Sequence, residues 1–449
     1  MPVRLIDSLA TTEPLAEIFS DDSFLQAMLD FEVALARAEA RAGIVPKTAE
    51  EAIRRAARAE YFDASRIVHE AFRAGTPGIP VVKALTARVA RSNPRAARFV
   101  HWGATSQDVA DTAFILLLKR AQPILTADWL RLKRALRHIS NTHKNTVALG
   151  RTLMQAALPI TFGLKAAGWL GALGRSQARM ETAFSQALVL QFGGATGTLA
   201  ALGDQGLRVG RDMARELGLG YPDAPWHTHR DRLGALVAAA GVLTASLGKM
   251  ARDISLLMQN EVAEVAERAE EERGGSSTMP QKQNPIASAL TLAAANRVPG
   301  LVAAFLFGMV QEHERGVGGW QAEGATVSSI IQSTGLAIQS MAEAAEGLRV
   351  DARQMRKAID RTRGGIFAEK ASLLLSSKLG RERAQRIVKE AVRQAKTKQR
   401  RLREVLAAMP EAMKVLDKQI LRDLEAPTKY PGVADELRKR LLSPPEEKT

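Results

Sequence analysis

The sequence has no cysteine among its 449 residues. That excludes a disulfide scaffold, a thiolate nucleophile, Cys-ligated zinc and any iron–sulfur cluster. A chain without thiols is indifferent to redox, which fits a reducing cytoplasm. No leader is expected either: the opening stretch, Met1 to Pro14, has no continuous apolar run of signal-peptide length, and Asp7 and Glu13 interrupt it. The least charged long stretches, such as 234–248, fall short of the roughly 20 apolar residues that span a bilayer. A soluble cytoplasmic protein with no membrane partner is expected. There is no repeat of fixed period. Nor is there a convincing run of alternating Val, Ile or Thr bounded by turn residues.

What is present is ordinary for a folded chain: 46% hydrophobic and 25% charged residues, so disorder is excluded for most of it. The charge balance is unusual. Lys and Arg number 63 against 48 Asp and Glu, a net +15, which raises nucleic acid, an anionic membrane or an acidic small substrate as partners. The segment Arg381 to Arg403 alone holds ten Lys or Arg against two Glu. Arg386, Lys389, Arg393, Lys396, Arg400 and Arg403 recur every three or four residues, along one helical face. A solvated face explains them better than a nucleic-acid surface, because charge runs are common on exposed helices and no aromatic is interleaved for base stacking.

The chain reads as helical nearly throughout. Ser20, Asp21 and Asp22 form a helix start, and Phe24, Leu25, Met28, Leu29, Phe31 and Leu35 follow at helical spacing until Gly43 and Pro46 stop the segment. Between about Ser106 and Ala344 the segments are long, Ala-rich and broken by few prolines, which predicts long packed helices in a bundle. Three domains are expected: 1–105, 106–350 and the basic 351–449. Glycine concentrates in QFGGATGTLAALG (Gln191 to Gly203) and RGGSSTMPQKQNP (Arg273 to Pro285).

The second of these carries the chemistry. Gly274 and Gly275 give a hinge, Ser276 and Ser277 supply hydroxyls, and Lys282 and Asn284 supply a cation and an amide. Such a loop can close on an anionic substrate and exclude water. Taken generically a Gly/Ser-rich stretch is a linker, but Met279-Pro280-x-Lys282-x-Asn284-Pro285 is too particular for one. It resembles the signature loop of the fumarase/aspartase superfamily, which includes the argininosuccinate and adenylosuccinate lyases. Two more segments support the resemblance: His101-Trp102-Gly103-Ala104-Thr105-Ser106-Gln107-Asp108, similar to that family's GxTSxD, and Gly150 to Gly163. The runs around Gln191–Ala195, Trp226–Arg232, Asp253–Gln259 and Gln311–Arg315 are similar to the cycloisomerase branch, the bacterial 3-carboxy-cis,cis-muconate cycloisomerases.

The resemblance implies an all-α fold of three helical domains, with a long central bundle that forms the core of a homotetramer and active sites shared between subunits. It implies a metal-free, cofactor-free lyase or cycloisomerase acting on an acidic small molecule through an aci-carboxylate-like intermediate. The alternative within the fold is a C–N or C–O lyase releasing fumarate from a succinyl substrate, as adenylosuccinate lyase does. Ser276 maps to the family's general base. A serine hydroxyl is a poor base at neutral pH, so its oxyanion needs N–H groups and a cation such as Lys282. Thr105, Ser106, Thr152, Gln155, Asn284 and Arg315 map to substrate-binding positions. For the Thr105–Ser106 segment taken alone, a plain helix N-cap is the simpler explanation. The chain departs from the pattern at Leu153 and Ala156, where histidines are expected, and at Gln281 and Gln283, where the usual pair is His and Arg. His229, in a place usually occupied by Gln, is the compensating catalytic candidate. His227-x-His229 is a weak metal pair, with no third ligand and no cysteine. Glu264 reads as an exposed helical residue or as the partner of Arg252 or His229.

Overall fold

The structure is a computed structural model that describes residues 4–268, 279, 282–430 and 432–443. The first long helix, α1 (Asp21–Arg41), forms as its sequence predicts. The Ser20 hydroxyl accepts the Ser23 N–H at 3.3 Å, and Asp21 and Asp22 face the positive end of the dipole. Gly43, in the left-handed region at φ 77°, ends it. Leu25, Met28, Leu29, Phe31 and Leu35 are buried along one face.

The all-α class is observed. Five further long helices dominate: α2 (Ser106–Thr142), α3 (Phe162–Ala187), α4 (Asp231–Leu257), α5 (Ile286–Gly308) and α6 (Gly319–Glu346). The chain forms two compact units, Met1–Leu130 with Arg175–Lys249 and Ala289–Met341, and Arg131–Gly174 with Met250–Ser288 and Ala342–Thr449. Each of the five helices contributes residues to both. In the first unit small residues let backbones approach. A Cβ on Gly335 would lie 2.2 Å from Leu15 Cδ1 and 2.9 Å from Leu125 Cδ2, and one on Gly248 would lie 2.6 Å from the Ala295 methyl. Buried Thr244 and Thr334 satisfy each other at 2.9 Å. The second unit has its own core, with Leu149, Ile359, Phe367, Leu375, Val405 and Leu424 packed together.

Three expectations need correction. The Gly150–Gly163 segment is not helical at its start: Val147–Thr152 (β1) and Gln155–Thr161 (β2) pair antiparallel. The two-residue turn between them is Leu153-Met154, both left-handed at φ 49° and 65°. Asn-Gly is the usual sequence for such a turn, and the strands are rich in Ala and Leu, so no strand signal was present. The basic run is broken as well. The helix α7 (Arg381–Thr397) ends before Arg400 and Arg403, because Gln399 turns left-handed at φ 54°. Arg400, Arg401 and Arg403 lie beyond that break and pair with Glu404, Asp360 and Glu425. Finally, α4 and α5 do reach spanning length, each with a mean hydropathy of 1.5. Alanine sustains that value past Gly248. The apolar window of α4 is 61% buried inside the chain, that of α5 only 22%.

Candidate active site

In the first unit the site is built around the N-terminus of α2. Ser106 is its first residue, so the free N–H groups of the opening turn are available to an anion. Thr105 and Ser106 are half-buried there. The absence of a side chain at Gly78 admits this turn: a Cβ would lie 2.6 Å from the Ser106 carbonyl oxygen. The N-cap reading is partly right, because the Asp108 carboxylate reaches back to accept the Thr105 N–H at 3.1 Å.

Asp108 does far more than cap. It is fully buried, and its two oxygens also accept from Gly193 N at 3.1 Å, Gly194 N at 2.9 Å and the His227 ring at 2.7 Å. One carboxylate thus ties three segments, far apart in sequence, to one point. The glycines are required: a Cβ on Gly193 would lie 2.7 Å from Pro225 Cβ and 2.8 Å from His227 Cε1. Arg315 straps the same loop, donating to the Gly194 carbonyl at 2.8 Å, the Ala195 carbonyl at 2.9 Å and Gln107 Oε1 at 2.9 Å.

Beneath lies a buried ionic cluster. Arg230 binds Asp111 at 2.9 Å and Glu323 at 2.6 Å and stacks on Trp226 at 4.5 Å. Burial would push the Arg230 pKa down, but the two carboxylates hold it above the ordinary value. Burial also raises Glu323, against the pull of Arg230. The Trp320 indole and Gln107 amide complete the bonding of Asp111 at 2.8 and 3.0 Å.

The remaining candidates divide between the units. His229 is exposed in the first unit. In the second, Thr152 and Gln155 flank the hairpin turn and are exposed, as are Leu153 at 97% and Met154 at 68%. Lys282 is exposed and Asn284 half-buried. Lys282 borders a cavity of about 1010 Å³ that Asn260, Arg349 and Arg353 also line. Ser276, Gln281 and the loop glycines Gly274 and Gly275 lie outside the described residues. Glu264 is neither helical nor paired with Arg252 or His229: it is buried, and Arg151 of the hairpin holds both its oxygens, at 2.5 and 3.1 Å. Among the described residues no three His, Asp or Glu side chains group as metal ligands.

Sequence reasoning passed over Glu32, Glu39, Asp111 and Glu323. The signal for the first two was there. Leu25, Glu32 and Glu39 fall seven apart on the apolar face of α1, and an acidic residue on a buried stripe marks a polar constellation.

Comparison with known proteins agrees with this architecture. A lyase family model matches residues 9–300, and an adenylosuccinate lyase C-terminus model matches 364–441. The 3-carboxy-cis,cis-muconate cycloisomerase of Bradyrhizobium diazoefficiens is 44% identical over 98% of this chain and 97% of its own length. The nitrosuccinate lyase of Streptomyces davaonensis is 39% identical over 98% of this chain and 95% of its own. The crystal structure of the 3-carboxy-cis,cis-muconate lactonizing enzyme from Pseudomonas putida superposes with a TM-score of 0.93, at 43% identity and 98% coverage of both chains. Relatives that match from end to end, on the same helical frame, settle the family: the chain belongs to the fumarase/aspartase superfamily of lyases.

Proposed function

We propose that the protein is a 3-carboxy-cis,cis-muconate cycloisomerase, closing a tricarboxylate diene to a lactone in aromatic degradation. The observation that carries this reading is identity of 44% across nearly the whole chain to an enzyme of that name. In the ring closure a carboxylate oxygen forms a C–O bond to an alkene carbon. The π pair moves into a neighbouring carboxylate as an aci-carboxylate dianion, and the carbon between then takes a proton. Nothing else is consumed, so no cofactor is called for. Catalysis is stabilisation of the dianion. Thr105 and Ser106 at the helix N-terminus bind one carboxylate, Lys282 and Asn284 another, and Ser276 handles the proton on carbon. His229 is a second proton-handling candidate. Arg315 serves the site through its carbonyl contacts in the Gly194–Ala195 loop.

The active form proposed is a homotetramer with active sites shared between subunits. Support comes from α5, apolar yet largely uncovered, with Phe307 84% and Val310 86% exposed at and beyond its end. The hairpin tip carrying Thr152 and Gln155 is likewise uncovered in the single chain. The second reading, a lyase releasing a small leaving group from a succinyl compound, draws on the likeness to a nitrosuccinate lyase. Loss of diene absorbance on mixing with 3-carboxy-cis,cis-muconate, abolished by Ser276→Ala, supports the first; fumarate release from a succinyl compound without that loss selects the second.

A further inference from the structure

Two histidine–carboxylate pairs stand near the N-terminus of α2, and they differ in kind. His227 is buried, and its partner Asp108 is committed to three backbone N–H groups besides. His101 bonds through Nδ1 to Glu32 Oε1 at 2.7 Å, and its side chain remains 17% exposed. Among the described residues His101 Nε2 has no hydrogen-bond partner, and neither has the buried second oxygen of Glu32. Glu32 is 1% exposed and sits on the apolar face of α1, where a carboxylate has no packing reason to be. The His101 backbone is left-handed at φ 60°. Four residues further on, Thr105 opens the turn that forms the proposed carboxylate site.

We propose that Glu32 is a positioning residue that keeps His101 protonated, and that the His101 imidazolium binds a substrate carboxylate through Nε2–H beside Thr105 and Ser106. Glu32 fixes the proton on Nδ1 and thereby the face that His101 presents. Burial pushes the imidazole towards its neutral form. The charge and hydrogen bond of Glu32 from α1, with the charge of Asp108 from α2, outweigh it and hold the His101 pKa above the ordinary histidine value. An imidazolium already fixed in place stabilises the developing dianion without rearrangement. The proton stays on Nε2 throughout.

The inference rests on the cycloisomerase reading, and the test separates the two. With carboxymuconate, His101→Ala is expected to lower kcat/KM by about 100-fold, with partial recovery on adding imidazole. Glu32→Gln is expected to move the high-pH limb of kcat/KM downward, towards about 6.5. Full activity in His101→Ala, or an unmoved limb in Glu32→Gln, overturns the inference and leaves the cycloisomerase reading intact. If the wild type does not turn over carboxymuconate, the reading falls. ¹⁵N NMR of the seven histidines in the full-length wild type then decides the pair. One imidazolium persisting to higher pH than the other six is expected; all seven losing their protons at or below about pH 6.5 overturns it.

Discussion

Glu39 offers a sharp test of how this fold tolerates a buried acid. It is fully buried on α1, and among the described residues neither of its carboxylate oxygens has a partner. Burial, reinforced by the Glu32 charge, pushes its pKa up to about 9 from 4.5. An acid whose folded value lies above its unfolded one gives stability that is complete below about pH 4.5. That stability is lost as pH rises, until about pH 9. Over that window each pH unit costs about 1.4 kcal/mol, so the rise from about pH 5.5 to about pH 8 costs roughly 3 kcal/mol. Glu39→Gln keeps the shape and removes the titration. With about 2.1 cal/mol/K of unfolding entropy per residue, the variant should gain about 3–4 °C on the wild type between the two pH values. Thermal melts of both proteins at equal concentration measure it. An offset between the two that is the same at both pH values refutes the reasoning.

Three further outcomes follow from the packing. Gly335→Ala places a methyl against Leu15 and Leu125 and should cost about 1–3 kcal/mol in urea unfolding, whereas Gly168→Ala, with nothing within 4 Å, should not destabilise. Arg230→Met strands Asp111 and Glu323 and should cost about 3–5 kcal/mol, with part of the loss recovered by Glu323→Gln in the same chain. If the proposed tetramer forms through α5, Phe307→Asp should sediment as a smaller species than the wild type; the same sedimentation for both argues against α5 as an assembly surface.

Local signals were legible wherever a short-range rule decides the conformation. Ser20, Asp21 and Gly43 place both ends of α1 because capping is local, and Ala-rich spacing gives the long helices. The hairpin was hidden, since Leu153 and Met154 occupy a turn through tertiary context against their own preference. The basic face looked continuous because spacing alone does not show the left-handed Gln399. At the site, the family segments point to the opening turn of α2. What they do not show is which side chain binds which. Asp108 holds the Gly193–Gly194 and His227 segments to its own turn, Arg315 turns to loop carbonyls, and Glu264 finds Arg151, through contacts between residues about 80 or more positions apart. Glu32 and Glu39 were the readable exception, acids on an apolar stripe.

The most direct measurement is a stopped-flow trace of 3-carboxy-cis,cis-muconate absorbance with wild-type protein and Ser276→Ala, with fumarate assayed in the same samples. Rapid loss of the diene band with lactone as product, no fumarate, and at least a 100-fold slower trace for the variant is the expected result. A flat trace with the wild type, or an unimpaired Ser276→Ala, contradicts the account.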